Sequence, residues 1–350
     1  MNPINSSLFI RADADAKIGT GHLMRCIAFG EAWKEHCGNV FIISNCNTNS
    51  IIAKIKSNGF NFISIQDIYP DSADIQITLK IINEHSEGKS WVLIDGYDFD
   101  LEYQNCIKEN GNNLLVIDDI AHLKNYNADI IVNQNINGNE FNYSCNKKTK
   151  LLLGSSYAII RDDFMNYNMS SVREFSNPSN LLITLGGSDP YNFSKTLVTI
   201  LNDFNDRKLN IKVIIGSLIG HTDINFNSSY HELNYIEILP SDMPELMEWA
   251  DIAISSGGST PWELAFMGLP AFVICFAENQ IKTMDSLHNY GSVINLGWYS
   301  AIKKEQLLIQ MNNLLQDELL RKKMSKLGKD LIDGMGRFRI IENMNKYNSL

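Results

Sequence analysis

The chain has 350 residues, 44% hydrophobic and 20% charged, with 30 Lys and Arg against 40 Asp and Glu for a formal net charge of −10. That balance is that of a soluble globular protein with room for two domains of ordinary size, and the acidic excess without any Lys/Arg-rich run excludes a broad nucleic-acid footprint, so any phosphate has to be bound locally. No stretch of about 18 uninterrupted apolar residues and no basic N-terminal region leading into an apolar run is present, which argues against a membrane span and a secretory signal.

Short apolar runs at 8–10, 40–43, 60–65, 91–94, 114–117 and 130–132 read as buried parallel strands, with helical spacing between them at 22–36 and 75–85. This alternation predicts βαβ units in a doubly wound sheet, whose ligands sit at the carboxyl ends of the strands. The first turn is the sharpest: strand residues Phe9-Ile10-Arg11-Ala12-Asp13 lead through Gly19-Thr20-Gly21 to His22 at a helix start. Gly19 and Gly21 remove the Cβ atoms that would keep a ligand from the backbone, and the helix points its free N–H groups and positive dipole end there. The dipole pushes a histidine toward its neutral form, so His22 is a candidate general base, with Asp13 and Asp15 as candidates to orient it. The plain alternatives are an ordinary turn with a capping histidine and solvated loop carboxylates. Met24 stands where a dinucleotide fingerprint needs a small residue, and no Walker-type loop follows.

Residues 161–179 are polar, end in Asn177-Pro178-Ser179 and read as a linker, which sets a domain boundary near 175. A second series follows, with strands at 181–185, 211–215, 235–239, 252–255 and 271–276 and helices beginning near Asp189, Met243, Thr260 and Asn279. Helical spacing resumes over 303–332. The expected organisation is therefore an α/β chain of two Rossmann-like domains facing across a cleft, 1–175 and 176–332, with a tail at 333–350 packing back on the first. The six cysteines, Cys26, Cys37, Cys46, Cys106, Cys145 and Cys275, contain no C-x-x-C pair and read as reduced thiols of a cytoplasmic protein.

In the second domain Ser255-Ser256-Gly257-Gly258-Ser259 precedes Thr260-Pro261-Trp262-Glu263. Thr260 with Glu263 reads as a capping box with Pro261 at the first helical position, which accounts for those residues structurally. Small residues at Ser256, Gly257, Gly258 and Ser259 leave N–H and hydroxyl donors uncovered at a helix start, where a diphosphate fits. Leu185-Gly186-Gly187-Ser188-Asp189 repeats the design, and Asn279 and Gln280 add amides suited to a sugar. Any one of these loops alone is an ordinary turn. Three at strand ends of one domain point to a ligand.

The stretch from Ile10-Arg11-Ala12-Asp13 to Ile18-Gly19-Thr20-Gly21-His22-Leu23-Met24-Arg25-Cys26 resembles the N-terminal signature of the UDP-2,4-diacetamido-2,4,6-trideoxy-β-L-altropyranose hydrolases, the UDP-sugar hydrolases of pseudaminic acid biosynthesis. Ile94-Asp95-Gly96-Tyr97, Ile117-Asp118-Asp119, Tyr157 to Phe164, Leu185 to Asp189, Gly257-Gly258-Ser259-Thr260 with Glu263, and Ala277-Glu278-Asn279-Gln280 extend the resemblance in order over about residues 8 to 300. It implies a GT-B architecture related to the glycosyltransferase that adds N-acetylglucosamine in peptidoglycan synthesis. It also implies that His22 is the catalytic base, that Tyr97 and Asn279 act near the sugar, and that Arg161 and Glu263 bind substrate. Members often carry histidine where this chain has Gly96.

The function so implied is water attack on the anomeric carbon of a UDP-linked diacetamido hexose, with inversion, releasing UDP and the free sugar. Helix starts and glycine loops would take the charge growing on the diphosphate, without a cofactor or metal. Neither an H-E-x-x-H pattern nor clustered Asp/His ligands are present. Two alternatives share the donor site: a GT-B glycosyltransferase with a sugar or lipid acceptor, and a non-catalytic sugar-nucleotide-binding protein, which would not need His22.

Overall fold

A computed structural model describes residues 7–15, 19–36, 38–86, 88–165, 167, 173–187, 189–215, 230–237 and 242–348. The chain forms two compact units, Met1–Asp162 with Gly334–Leu350, and Asp163–Asp333. It thus leaves the first unit earlier than the expected boundary near 175, because β-rich pairing ends before the polar segment begins, and it returns at its C-terminal helix.

The first unit is built on strands β1 (Leu8–Ala12), β2 (Val40–Ser44), β3 (Asn61–Ser64), β4 (Trp91–Asp95), β5 (Asn113–Ile117), β6 (Ile130–Asn133) and β7 (Lys150–Leu153). They form one parallel sheet in the order β3-β2-β1-β4-β5-β6-β7. β1, β2, β4 and β5 are buried along their whole length, as apolar runs covered on both faces must be. β7 was not anticipated from the sequence; its Lys-Leu-Leu-Leu segment is short and half exposed at the sheet edge.

Helix α1 (Gly21–His36) carries the site. From Leu23 to Trp33 every residue but Met24 is buried, so the helix is covered on more than one side. The sheet lies on one side, and the C-terminal helix (Gly336–Asn348) packs on it as well. Arg337, almost fully buried, donates to the Ala28 carbonyl at 3.3 Å and pairs with Asp162. A Cβ on Gly336 would lie 2.1 Å from the Ala158 carbonyl oxygen, so only glycine lets this helix approach.

The second unit repeats the scheme with β8 (Asn180–Thr184), β9 (Asn210–Ile215), β10 (Glu232–Glu237), β11 (Ile252–Ser256), β12 (Ala271–Cys275) and β13 (Val293–Trp298), parallel in the order β10-β9-β8-β11-β12-β13. β13 was also unanticipated: Asn295 and Gly297 interrupt its apolar pattern, and it pairs with β12 through a register shift between Val273 and Cys275. Of the expected strand 235–239, the last two residues lie outside the described set.

In each sheet the strand order reverses once beside a central strand, between β1 and β4 in the first unit and between β8 and β11 in the second. The carboxyl ends at such a reversal form the crevice where open α/β sheets bind ligands. Among the described residues no helix is long and apolar enough to cross a membrane.

Candidate active site

In the first unit the reversal puts Ala12, the last residue of β1, beside Asp95, the last residue of β4. The loop from β1 turns through Gly19, which adopts φ +79° with open space where a side chain would point, into α1, whose second residue is His22. His22 Nδ1 lies 2.6 Å from Asp95 Oδ1. Arg25, one helical turn on, binds both oxygens of the same carboxylate, Nε to Oδ2 at 2.6 Å and Nη2 to Oδ1 at 2.7 Å, and its Nη1 donates to Asp119 Oδ2 at 2.8 Å.

These contacts fix the proton on the ring. Burial opposes a charge on Asp95, but Arg25 and His22 outweigh it and hold its carboxyl well below the usual carboxylate range. An ionised carboxylate only accepts, so Nδ1 must donate to it. Arg25 Nη2 stands 3.2 Å from Nδ1, but both atoms are donors aimed at Oδ1. In the neutral ring the lone pair is therefore on Nε2, as a general base requires. Asp13 does not orient His22. Its Oδ1 is taken by Arg11 Nη1 at 2.5 Å and by the Asn45 N–H at 2.7 Å.

Tyr97 sets its ring edge-on to His22, centroids 5.3 Å apart, and its hydroxyl reaches Asp119 at 3.4 Å. Between Asp95 and Tyr97, a Cβ on Gly96 would lie 3.0 Å from the Phe99 ring, which fills the space a histidine there would need. Arg161 is buried in this unit, between a 3-10 turn at Ser155–Tyr157 and the short helix Asp162–Met165. Gly21 is the first residue of α1.

In the second unit the reversal brings together the loops after β8 and β11. Gly186, at φ +83°, places its missing Cβ 3.5 Å from Ser256 Oγ, so the two predicted glycine loops adjoin. Gly187 lies in the same turn; Ser188 lies outside the described residues. Gly258 is exposed with open space around it, whereas a Cβ on Gly257 would meet Met284 Cγ at 2.9 Å and Gln280 Cβ at 3.1 Å. Gly257 therefore serves helix packing. Gln280 is held in the same contact, its Oε1 accepting from the Phe276 N–H at 2.9 Å.

The capping box expected from Thr260 and Glu263 is displaced, because Thr260 lies inside the helix rather than at its cap. The helix runs Thr260–Met267 with Ser259 at the cap, and Ser259 makes no side-chain cap bond. Thr260 and Pro261 are already helical, because Trp262 N–H closes the first turn onto the Ser259 carbonyl at 3.1 Å. Glu263, half-buried, projects from this turn, and Asn279 is the second residue of the helix Glu278–Tyr290.

Residues 181–335 match the glycosyltransferase family 28 C-terminal domain. The whole chain is similar in structure to MurG of Acinetobacter baumannii, with a TM-score of 0.66 at 15% identity, covering 97% of this chain and 99% of that one. The fold is GT-B. In sequence the chain is 29% identical over 287 residues to an uncharacterized protein of Methanocaldococcus jannaschii, covering 79% of this chain and 57% of that protein. It is 26% identical over 233 residues to the Helicobacter pylori pseudaminic acid cytidylyltransferase and UDP-2,4-diacetamido-2,4,6-trideoxy-beta-L-altropyranose hydrolase, covering 64% of this chain and 41% of that protein. The chain spans about half the length of the curated relatives it matches. Together these likenesses support a glycosyltransferase-like protein of the sugar-nucleotide kind.

Within this GT-B chain, sequence reasoning selected His22 and missed the residues that hold it. Asp95, Arg25 and Asp119 form one ionic chain around the histidine. Asp95 had a legible signal, since it ends the strand that a doubly wound sheet sets beside β1. Arg25 had a weaker one: it lies three residues after His22 on one helix face.

Proposed function

We propose that the chain is a UDP-sugar hydrolase that cleaves the anomeric C–O bond of a UDP-linked diacetamido-trideoxy hexose with inversion. The observation that carries this reading is the His22–Asp95 hydrogen bond, which leaves Nε2 as the acceptor for a water proton. Water attacks the anomeric carbon as His22 takes its proton, the C–O bond to the diphosphate breaks, and UDP leaves with the bonding electrons. Asp95 stabilises the imidazolium that forms, while Arg25 keeps Asp95 ionised so that the proton stays on the histidine. The N–H groups around Gly187, Gly258 and the start of the Thr260–Met267 helix suit the charge developing on the departing diphosphate. The likeness to the Helicobacter pylori protein supports the hydrolase and its substrate.

The match to a family 28 glycosyltransferase domain favours a second reading, in which the same base deprotonates an acceptor hydroxyl. The two are separated by incubating the protein with UDP-sugars and no acceptor. A hydrolase releases UDP and the free sugar at a rate that falls by two or more orders of magnitude, roughly, in His22→Asn protein. A transferase releases UDP only when an acceptor is added.

A further inference from the structure

The hydrolase reading gives Asp95 and Arg25 each a task and gives none to Asp119. This residue follows β5, whose last residue Ile117 pairs with Asp95 at the end of β4, so it arrives at the same end of the sheet. Its side chain is mostly buried. Oδ2 accepts from Arg25 Nη1 at 2.8 Å and, at the long limit of a hydrogen bond, from the Tyr97 hydroxyl at 3.4 Å, while Oδ1 accepts from Asn135 Nδ2 at 3.4 Å. The side-chain amides of Asn133 and Asn135 also donate to the Asp119 carbonyl at 3.1 and 3.3 Å, and the Asn135 N–H is in turn bound by Asn133 Oδ1 at 3.0 Å. Asp119 is thus fixed from the end of β6, unlike the mobile partner of a surface ion pair.

Two carboxylates therefore share one guanidinium. Arg25 gives Nε and Nη2 to Asp95 and Nη1 to Asp119. Burial opposes the charge on Arg25, but Asp119 and then Asp95 outweigh it and hold the guanidinium pKa well above its ordinary value. Asp118, one residue earlier, stands outside this set. Its buried carboxylate is held by His122 Nδ1 at 3.0 Å, by the Ile120 N–H at 3.0 Å and by the Tyr126 hydroxyl, which keep it below the usual carboxylate range against the effect of burial. Among Asp95, Asp119, Arg25 and His22, one negative charge is in excess while the ring is neutral, and the set becomes neutral when His22 takes a proton. Without Asp119, Arg25 would cancel Asp95, and the imidazolium would form beside a neutral pair.

We propose that Asp119 is a positioning residue for the base, acting through Arg25: it engages the guanidinium at Nη1 and leaves the charge of Asp95 to the imidazolium that forms as water attacks. This rests on the hydrolase reading above. Asp119 neither gives nor takes a proton; the proton of the attacking water goes to His22 Nε2, and the bonding electrons leave with UDP. A mostly buried charge is weakly screened, so Asp119 acts on the ring without touching it. Its effect is smaller than that of Asp95, which bonds the ring itself.

The test separates charge from shape. Asp119→Asn keeps an oxygen for Arg25 and removes the charge, whereas Asp119→Glu keeps the charge. For each, kcat and KM are measured for UDP release from UDP-2,4-diacetamido-2,4,6-trideoxy-β-L-altropyranose without acceptor, alongside ¹⁵N resonances of the His22 ring. The Asn variant should lose about tenfold in kcat, with KM within about twofold of the parent and the ring proton still on Nδ1. The Glu variant should recover most of that loss. Asp119→Ser, also uncharged, carries the same expectation should the Asn variant misfold. A kcat within about twofold of the parent in a folded uncharged variant overturns the proposal. So does a Glu variant no faster than the Asn one, or a ring proton moved to Nε2. A parent that releases no UDP removes the hydrolase reading and this proposal together, whereas an active parent with an unaffected Asn variant removes this proposal alone.

Discussion

Replacing Asp95 by Asn removes one oxygen from a carboxylate whose two oxygens both face donors. Oδ1 accepts from His22 Nδ1 and Arg25 Nη2, and Oδ2 accepts from Arg25 Nε, with the Cys26 thiol 3.5 Å away. With its NH2 turned to His22, the amide needs Nδ1 as acceptor, which moves the ring proton to Nε2 and ends its use as a base. With its NH2 turned the other way, two donors face each other across Arg25 Nε. The first outcome costs about 10⁴-fold in kcat, by analogy with other Asp–His pairs in which the tautomer is reversed. Losing the buried charge partner of Arg25 adds a destabilisation of about 3–5 kcal/mol, lessened to the extent that Asp119 still holds the guanidinium. The assay is UDP release from the UDP-sugar without acceptor, alongside urea unfolding and ¹⁵N resonances of the His22 ring. Turnover within about tenfold of the parent, with the proton still on Nδ1, would refute the assignment of Asp95.

Stability should respond to acid through the same carboxylates. Burial raises Asp95 and Asp118, but their partners win and depress both, so their contribution is complete above the unfolded carboxyl pKa of about 4 and is lost as pH falls through their folded values. The urea midpoint should therefore fall below about pH 4, less steeply in Asp95→Asn protein; equal slopes would contradict this. Gly257→Ala should destabilise by about 1–3 kcal/mol through its clash with Met284 and Gln280, read by thermal unfolding. Gly258→Ala meets no atom within 4 Å, so it should leave Tm unchanged while weakening UDP binding; unchanged affinity would remove Gly258 from the diphosphate site. Gly336→Ala should destabilise the first unit, because the added Cβ collides with backbone at Ala158; an unchanged unfolding midpoint would contradict that packing.

Parallel strands buried on both faces write themselves as apolar runs, which is why β1 and β4, whose ends hold the His22–Asp95 pair in the first unit, and β8 and β11, which lead into the glycine loops of the second, were legible. β7 and β13 are edge strands whose short or interrupted patterns carry no such mark. The glycine turns could be located but not sorted by use: Gly258 opens to solvent, whereas Gly257 is bare because Gln280 and Met284 need the space, a contact made 23 and 27 residues away. His22 was legible from its place at a strand-to-helix turn. Asp95 and Asp119 lie 73 and 97 residues further on, and only the strand order β1-β4-β5 brings their ends to it. The Thr260 capping box failed because Ser259 takes the cap position with its side chain making no bond, an outcome decided by one residue of helix phase.

The most direct test is to let the protein act on UDP-2,4-diacetamido-2,4,6-trideoxy-β-L-altropyranose in ¹⁸O-labelled water without acceptor, and to follow both products by mass. A base at His22 serving attack at carbon requires the label in the free sugar and unlabelled UDP, with the anomer of inverted configuration formed first. Label in UDP, or no release of UDP until an acceptor is added, would contradict it.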